Sequence, residues 1–249
     1  MISDVHVHTN FCDGANSPEE MVLSAIEKGV DRLGLLVHAC MPFECTWCVK
    51  KERVSVFQAE IKRLKEKYKD KIELLCGTEL DYFCEIDLSG FDYTIGSLHY
   101  FYKDGKHYAV DHSEECFCES VKTAFGGDYY AAAENYYEIL SEYGKKFKPD
   151  IIGHFDLVTK FNKGNKFFDE NNPRYIAAAT KAIEELVKFG VPFEVNTGAI
   201  SRGYQDKPYP SIWALEKIKS LGGKFIINSD SHNKDTIAYE FDKWSYLCK

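Results

Sequence analysis

Apolar residues recur along this chain in short runs bounded by polar or glycine-containing turns. Residues 2–8, 32–37, 72–78, 93–97, 151–153, 192–196 and 224–228 read as strands, being too short for helices and rich in Val, Ile and Leu. The segments between them carry helical periodicity. Ser17-Pro18-Glu19-Glu20 opens one helix with a capping hydroxyl, a first-turn proline and early carboxylates, and Gly29 closes it. Residues 51–69, 129–145, 173–189 (introduced by Asn172-Pro173) and 210–221 read the same way, with a last helix from about 234. Residues 103–128 show no clear period and read as an active-site loop or a small insertion. Seven short apolar strands alternating with helices imply a parallel sheet, most economically closed as a βα barrel in one domain, residues 1–249. An open doubly wound sheet is the alternative, but no GxGxxG or Walker A loop supports a nucleotide-binding version of it.

Composition narrows the function classes. With 31 basic and 39 acidic residues the formal charge is −8, which argues against a nucleic-acid or anionic-membrane partner. No apolar run reaches the ~18 residues of a membrane span, and no secretory signal pattern opens the chain, so a cytoplasmic protein is expected. Nine cysteines, an odd number, include one CxxC (Cys45, Cys48) and one CxC (Cys116, Cys118). No second CxxC completes a four-thiolate zinc site, and the thiols read as reduced bystanders.

The histidines change the picture. Of eight, six fall at or just past the C-terminal end of an expected strand: His6, His8, His38, His99, His154 and His232. That is the end where barrel enzymes assemble their sites. Asp13 lies in the first strand-to-helix loop, Glu79 ends the third strand and Asp230 follows the seventh. His6-Val7-His8 sends two imidazoles from one face of a strand, so both can reach one ion. Imidazole with carboxylate suits Zn, Mn or Fe, and nine candidate ligands exceed one tetrahedral site. His107 and His112 lie in the irregular segment and read as surface residues.

DVHVHTNFCDG, the His38 strand end, GTELDY, IGSLHY, IIGHFDLV and NSDSHN occur in that order across almost the whole chain. Together they resemble the PHP (polymerase and histidinol phosphatase) superfamily, specifically its histidinol-phosphate phosphatase branch. The resemblance implies a distorted (β/α)7 barrel and a centre of two to three divalent transition-metal ions. It places His6 and His8 on the first ion with Glu79 and Asp230. Glu79 would bridge to a second ion held by His99 and His154, while Asp13, His38 and His232 would hold the third. Glu79, Asp230 and His232 are the residues it makes catalytic. Lys160 and Arg202 stand where the branch carries basic residues that grip phosphate, Arg as a planar fork and Lys as a compact charge. The motif before His38 departs from relatives: Leu36-Val37 stands where an acidic residue is common.

The activity so implied is hydrolysis of a small phosphomonoester, histidinol phosphate, in histidine biosynthesis. Clustered divalent ions suit that chemistry, lowering the pKa of bound water toward ~7 and offsetting phosphoryl charge. Two other readings stay open: a related phosphoesterase acting on a nucleotide, phosphodiester or phosphotyrosine, and a metal-binding module without turnover.

Overall fold

The computed structural model describes residues 1–43 and 45–248. In chain order its strands are β1 (Ser3–His8), β2 (Arg32–His38), β3 (Glu73–Asp81), β4 (Tyr93–Ser97), β5 (Tyr100–Lys103), β6 (Lys106–Ala109), β7 (Ile151–Ile152), β8 (Phe193–Asn196) and β9 (Phe225–Asn228). Its helices are α1 (Pro18–Glu27), α2 (Val54–Tyr68), α3 (Glu114–Phe125), α4 (Tyr129–Ser141), α5 (Tyr143–Lys146), α6 (Pro173–Leu186), α7 (Gly198–Ser201), α8 (Ile212–Ser220) and α9 (Phe241–Trp244). None of the described helices is long and apolar enough to cross a membrane.

Seven strands form one parallel sheet in the order β1-β2-β3-β4-β7-β8-β9. The two ends of the sheet meet. His8 N donates to Ser231 O at 2.8 Å and Ser231 N to His6 O at 3.1 Å. Below that bridge side chains do the joining: Asn228 Oδ1 accepts from Val5 N, and buried Asp4 accepts from Ser229 N and Oγ. The expected (β/α)7 barrel is therefore the observed fold, closed among the described residues by the single backbone bridge between Val7 and Ser231.

The lumen is filled in layers. Val5, Leu36, Tyr93, Ile95 and Ile151 form its lower layer. Tyr93 lies across it and donates its hydroxyl to Val5 O, in space that exists because residues 34 and 77 are glycine; a Cβ on either would overlap the Tyr93 ring. Above this plug the inward residues turn polar: His6, His8, His38, Glu79, Glu194 and Asn228, all buried. The β1–β2 register slips between Asp4 and Val7, so Val5 joins the apolar layer while His6 and His8 both reach the polar one. The outer faces pack on the helices. Tyr175, Ala179, Ala182, Ile183 and Leu186 of α6 are buried at helical spacing, and each large apolar side chain so covered contributes roughly 1.5–3 kcal/mol.

Two expected elements differ. The irregular stretch 103–128 is instead a β5–β6 hairpin and helix α3. The hairpin turns at Asp104-Gly105, with φ of 50° and 77°, and Ser113 and Gly126 cap the helix. The last helix is broken into a 3₁₀ turn at Lys234–Thr236, short α9 and a further 3₁₀ turn at Ser245–Cys248. Glu240 stands between the pieces at φ 52°, a conformation no continuing α-helix contains.

Candidate metal centre

All nine expected ligands stand at the C-terminal mouth of the barrel, and one carboxylate organises most of them. Glu79 stands two residues before the end of β3 and is buried, and ring nitrogens of His6, His8, His38, His99 and His154 lie 3.2, 3.4, 2.9, 3.4 and 2.9 Å from its oxygens. The five imidazoles come from four places on the rim: His6 and His8 from the end of β1, His38 from the end of β2, His99 from two residues beyond β4 and His154 from the loop after β7. A carboxylate has about four lone-pair sites, so five nitrogens exceed what hydrogen bonding to it can use. Glu79 Oε2 and His38 Nδ1 in fact make no hydrogen bond although both are buried.

Asp230 and Asp13 supply the outer anions. Asp230 Oδ1 lies 3.6, 3.4 and 3.5 Å from ring nitrogens of His6, His8 and His232. Asp13 approaches His38 at 3.4 Å and His232 at 3.2 Å. Four overlapping groups could each hold an ion: His8, Asp13, His38 and His232; His6, His8 and Asp230; His6, Glu79 and His154; His38, Glu79 and His99. His6, His8, His38 and Glu79 are each shared between two of these groups.

Burial opposes ionisation of Glu79, yet His6, His38 and His99 outweigh it and hold the carboxyl well below its usual range. Asp230 is likewise depressed against burial, by Arg202 and His6. Burial also opposes charge on His38, but Asp13 and Glu79 bring it to about 10; His99 reaches about 10 beside Glu79 and Asp81. His8 goes the other way, to about 4, under burial and the neighbouring His232 and His38. The protein alone thus stores positive charge around an ionised Glu79, the place a metal ion would take.

Two carboxylates behind the rings set their orientation. Fully buried Glu194 of β8 accepts from His6 Nδ1 at 2.7 Å, His154 N at 3.0 Å, and Asn196 and Asn228 side-chain amides at 2.8 Å each. Asp81 accepts from His99 N at 2.7 Å and lies 3.2 Å from His99 Nδ1. Each turns its histidine's other nitrogen toward Glu79, the usual support of a ligating imidazole.

The centre opens into a cleft of ≈ 380 Å³ whose walls include Lys160, Arg202, Trp47 and His112. Arg202 is held against the centre: Nη2 donates to Asp230 Oδ2 at 3.1 Å and Nη1 to Asp230 O at 3.0 Å. Gly198 leaves room for this, since a Cβ there would stand 2.8 Å from Arg202 Nη2. Lys160 Nζ donates to Asp111 O at 2.7 Å and lies 3.2 Å from Asp111 Oδ2. Trp47 closes the opposite wall, edge-on to His38 with centroids 4.5 Å apart and 5.2 Å from His99.

The sequence model of the PHP domain matches residues 4–198, which hold seven of the nine rim ligands. The chain belongs to the PHP domain family. It is 26% identical to a histidinol-phosphatase of Bacillus subtilis over 98% of this chain and 98% of that one. It is also 26% identical to a histidinol-phosphatase of Lactococcus lactis, covering 92% of this chain and 83% of the relative. Among solved structures, a candidate histidinol phosphatase from Listeria monocytogenes superposes with a TM-score of 0.85 at 22% identity, covering 97% and 99% of the two chains. The Lactococcus lactis histidinol phosphate phosphatase, complexed with zinc, L-histidinol and phosphate, superposes with a TM-score of 0.74 at 20% identity, covering 99% and 92%.

Within this PHP barrel Lys160 and Arg202 line one cleft with the candidate ligands, in keeping with the positions that the resemblance gives them. Three features differ. Cys45 and Cys48 are joined in a disulfide instead of being free thiols: a tight CxxC loop brings their Cα atoms to 5.6 Å, within bridging range. His107 is half-buried between Phe43 and Phe83 instead of lying free at the surface. His112 is exposed but borders the cleft. Glu194 was not legible, because an isolated acid in a strand carries no motif; its signal is that an inward β8 position can hold a charge only beside a buried partner. Leu36-Val37 needs no acidic substitute, since Asp13 and Glu79 flank His38 directly.

Proposed function

We propose that this chain hydrolyses L-histidinol phosphate to histidinol and phosphate, as a metal-dependent phosphomonoesterase of cytoplasmic histidine biosynthesis. The observation that carries the reading is the convergence of five imidazoles on buried Glu79 with two cations in the same cleft. The relatives' names and the zinc, histidinol and phosphate of the Lactococcus protein support the substrate.

The donor set fits two to three divalent ions of the Zn, Mn or Fe type, because imidazole nitrogens and carboxylate oxygens converge in overlapping groups while Glu79 Oε2 and His38 Nδ1 are buried without a hydrogen bond. His6, His8, Glu79 and Asp230 would hold one ion; Glu79, His99 and His154 a second; Asp13, His38 and His232 a third. Bound there, divalent ions supply an acidified water and positive charge against the phosphoryl oxygens. Glu79, Asp230 and His232 are thereby the catalytic residues of the reading.

The chain's own part is to hold and orient. Arg202 commits three contacts to Asp230 and His232 and keeps its remaining N–H donors for phosphate oxygens in the cleft. Lys160 sits beside Asp111, whose carboxylate keeps the ammonium aimed across the same opening. Glu194 and Asp81 fix His6 and His99. Trp47 covers one flank of the rim and limits water there.

The test is phosphate release by metal-loaded protein from a panel of histidinol phosphate, a nucleotide, a phosphodiester and a phosphotyrosine peptide. Histidinol phosphate should give the highest kcat/KM, with the diester far behind because it offers the cations less charge. A higher kcat/KM on any other member would overturn the substrate.

A further inference from the structure

The connection between β2 and the 3₁₀ turn Lys51–Arg53 carries the bridged cysteines to the metal cleft. Its described backbone hydrogen bonds lie at its two ends. Ala39 N donates to Glu79 O and Glu85 N to Cys40 O, while Val49 N donates to His38 O at 3.0 Å. Val49 is 2% exposed, and its carbonyl accepts from Cys40 Sγ at 3.2 Å. Cys48 therefore adjoins a point fixed to the backbone of a candidate ligand, and the disulfide ties Cys45 to that point.

The two residues enclosed by the bridge are the ones that reach the cleft, for Thr46 and Trp47 both line it. Trp47 faces His38 and His99, and its ring stacks on Tyr100 with centroids 6.1 Å apart and planes inclined by 16°. Cys48 is 7% exposed, whereas Cys45 is half-buried, so a reductant in solution meets the Cys45 sulfur. Disulfides in cytoplasmic proteins are uncommon and are mostly exchanging ones, and accessible bridges are the labile ones.

We propose that Cys45 and Cys48 form a redox switch that sets how tightly the cleft holds its substrate, tight as the disulfide and loose as the two thiols. A thiolate of a small thiol reductant attacks the Cys45 sulfur, forming a mixed disulfide and expelling Cys48 as a thiolate that takes up a proton. A second reductant thiol attacks the mixed disulfide at the reductant's own sulfur, and Cys45 leaves and is protonated in turn. The protein gains two electrons and two protons, and two reductant thiols become one disulfide. With the bridge gone, only Val49 still anchors the segment, and Trp47 is free to swing away from His38 and His99. The effect on substrate rests on the phosphatase reading, whereas the hold of the bridge on Trp47 does not.

The test equilibrates full-length, metal-loaded protein at several ratios of reduced to oxidised glutathione, with the free thiols counted by alkylation and mass spectrometry. The bridge should open and close reversibly. Reduction should raise KM for histidinol phosphate about three- to tenfold with kcat and metal content unchanged, the signature of lost binding common to ground and transition states. Acrylamide should quench tryptophan fluorescence more strongly in the reduced form, and Trp47→Phe, which leaves two of the three tryptophans, should remove that difference. Cys45→Ser combined with Cys48→Ser should show the raised KM at every ratio. A bridge that never forms or never opens, or equal KM and equal quenching in the two states, would overturn the switch. A KM shift shared by the double variant would overturn it too, assigning the effect to other thiols or to metal capture by glutathione. Quenching that follows the bridge in a protein inactive on histidinol phosphate would support the switch and overturn the substrate.

Discussion

Glu194→Gln separates the supporting carboxylate from the ligands it supports. In the wild-type chain Oε1 accepts from His6 Nδ1 and the Asn228 amide, and Oε2 from His154 N and the Asn196 amide. A glutamine has one oxygen, so its NH₂ must face one of these pairs of donors. Two buried donors then lose their acceptor, at roughly 1–3 kcal/mol each, and the variant should lose about 2–6 kcal/mol of stability. The pH dependence carries a second signature. Burial raises the pKa of Glu194, but His6 and His154 outweigh it and hold the carboxyl below its usual range. A depressed pKa contributes stability that is present above the unfolded value, ~4.3, and is lost as pH falls through the folded one. Stability lost between pH 5 and acid should therefore be smaller in Glu194→Gln than in wild type.

Function should follow. Glu194 accepts the Nδ1 proton of His6 and so directs Nε2 toward Glu79 and His8. Without it the ring can turn or exchange tautomer, and loss of such a partner costs about 10–100-fold in metal affinity or activity. Urea melts of metal-free protein, metal analysis after dialysis and kcat/KM on histidinol phosphate read the three effects. A variant with unchanged midpoint, metal content and kcat/KM would refute the assignment of Glu194 as the anchor of His6.

Lys160→Ala should lower kcat/KM on histidinol phosphate by one to two powers of ten, the worth of a charge-assisted contact of roughly 1.5–3 kcal/mol, with metal content unchanged. Arg202→Ala should lose a similar amount and also retain less metal, because Arg202 contacts Asp230 and His232; full metal retention would show that those contacts are dispensable. Glu79→Gln and Asp230→Asn should abolish turnover and deplete metal, whereas His107→Gln should leave both near wild type, which elemental analysis beside a rate assay decides. Replacing Cys45 and Cys48 together by Ser should raise KM severalfold at constant metal content, since the bridged loop holds Trp47 against His38 and His99; an unchanged KM would show that the bridge plays no part in shaping the cleft.

How far the site could be read from residues alone depended on the length scale of each signal. His6-Val7-His8 and the histidines closing later strands are local: a strand's two-residue period fixes the face, and the parallel order of β strands brings their C-terminal ends together. Candidate ligands at those ends are therefore legible before any distance is known. The hairpin at Asp104-Gly105 was also local, and its Asp-Gly turn was present in the sequence, but aromatic residues on both sides obscured the alternation that usually accompanies such a turn. Glu194, Asp81 and Asp111 belong to another class. Their partners are 188, 18 and 49 residues away, so nothing in their own neighbourhood distinguishes them from solvated acids. The slip in β1 register is a third kind: it exists because the chain must serve an apolar plug and a polar rim within six residues, and only closure of the barrel against β9 sets where it falls. The candidate ligands of this PHP barrel are thus written in strand periodicity, whereas the groups that set their protonation and aim come from long-range closure.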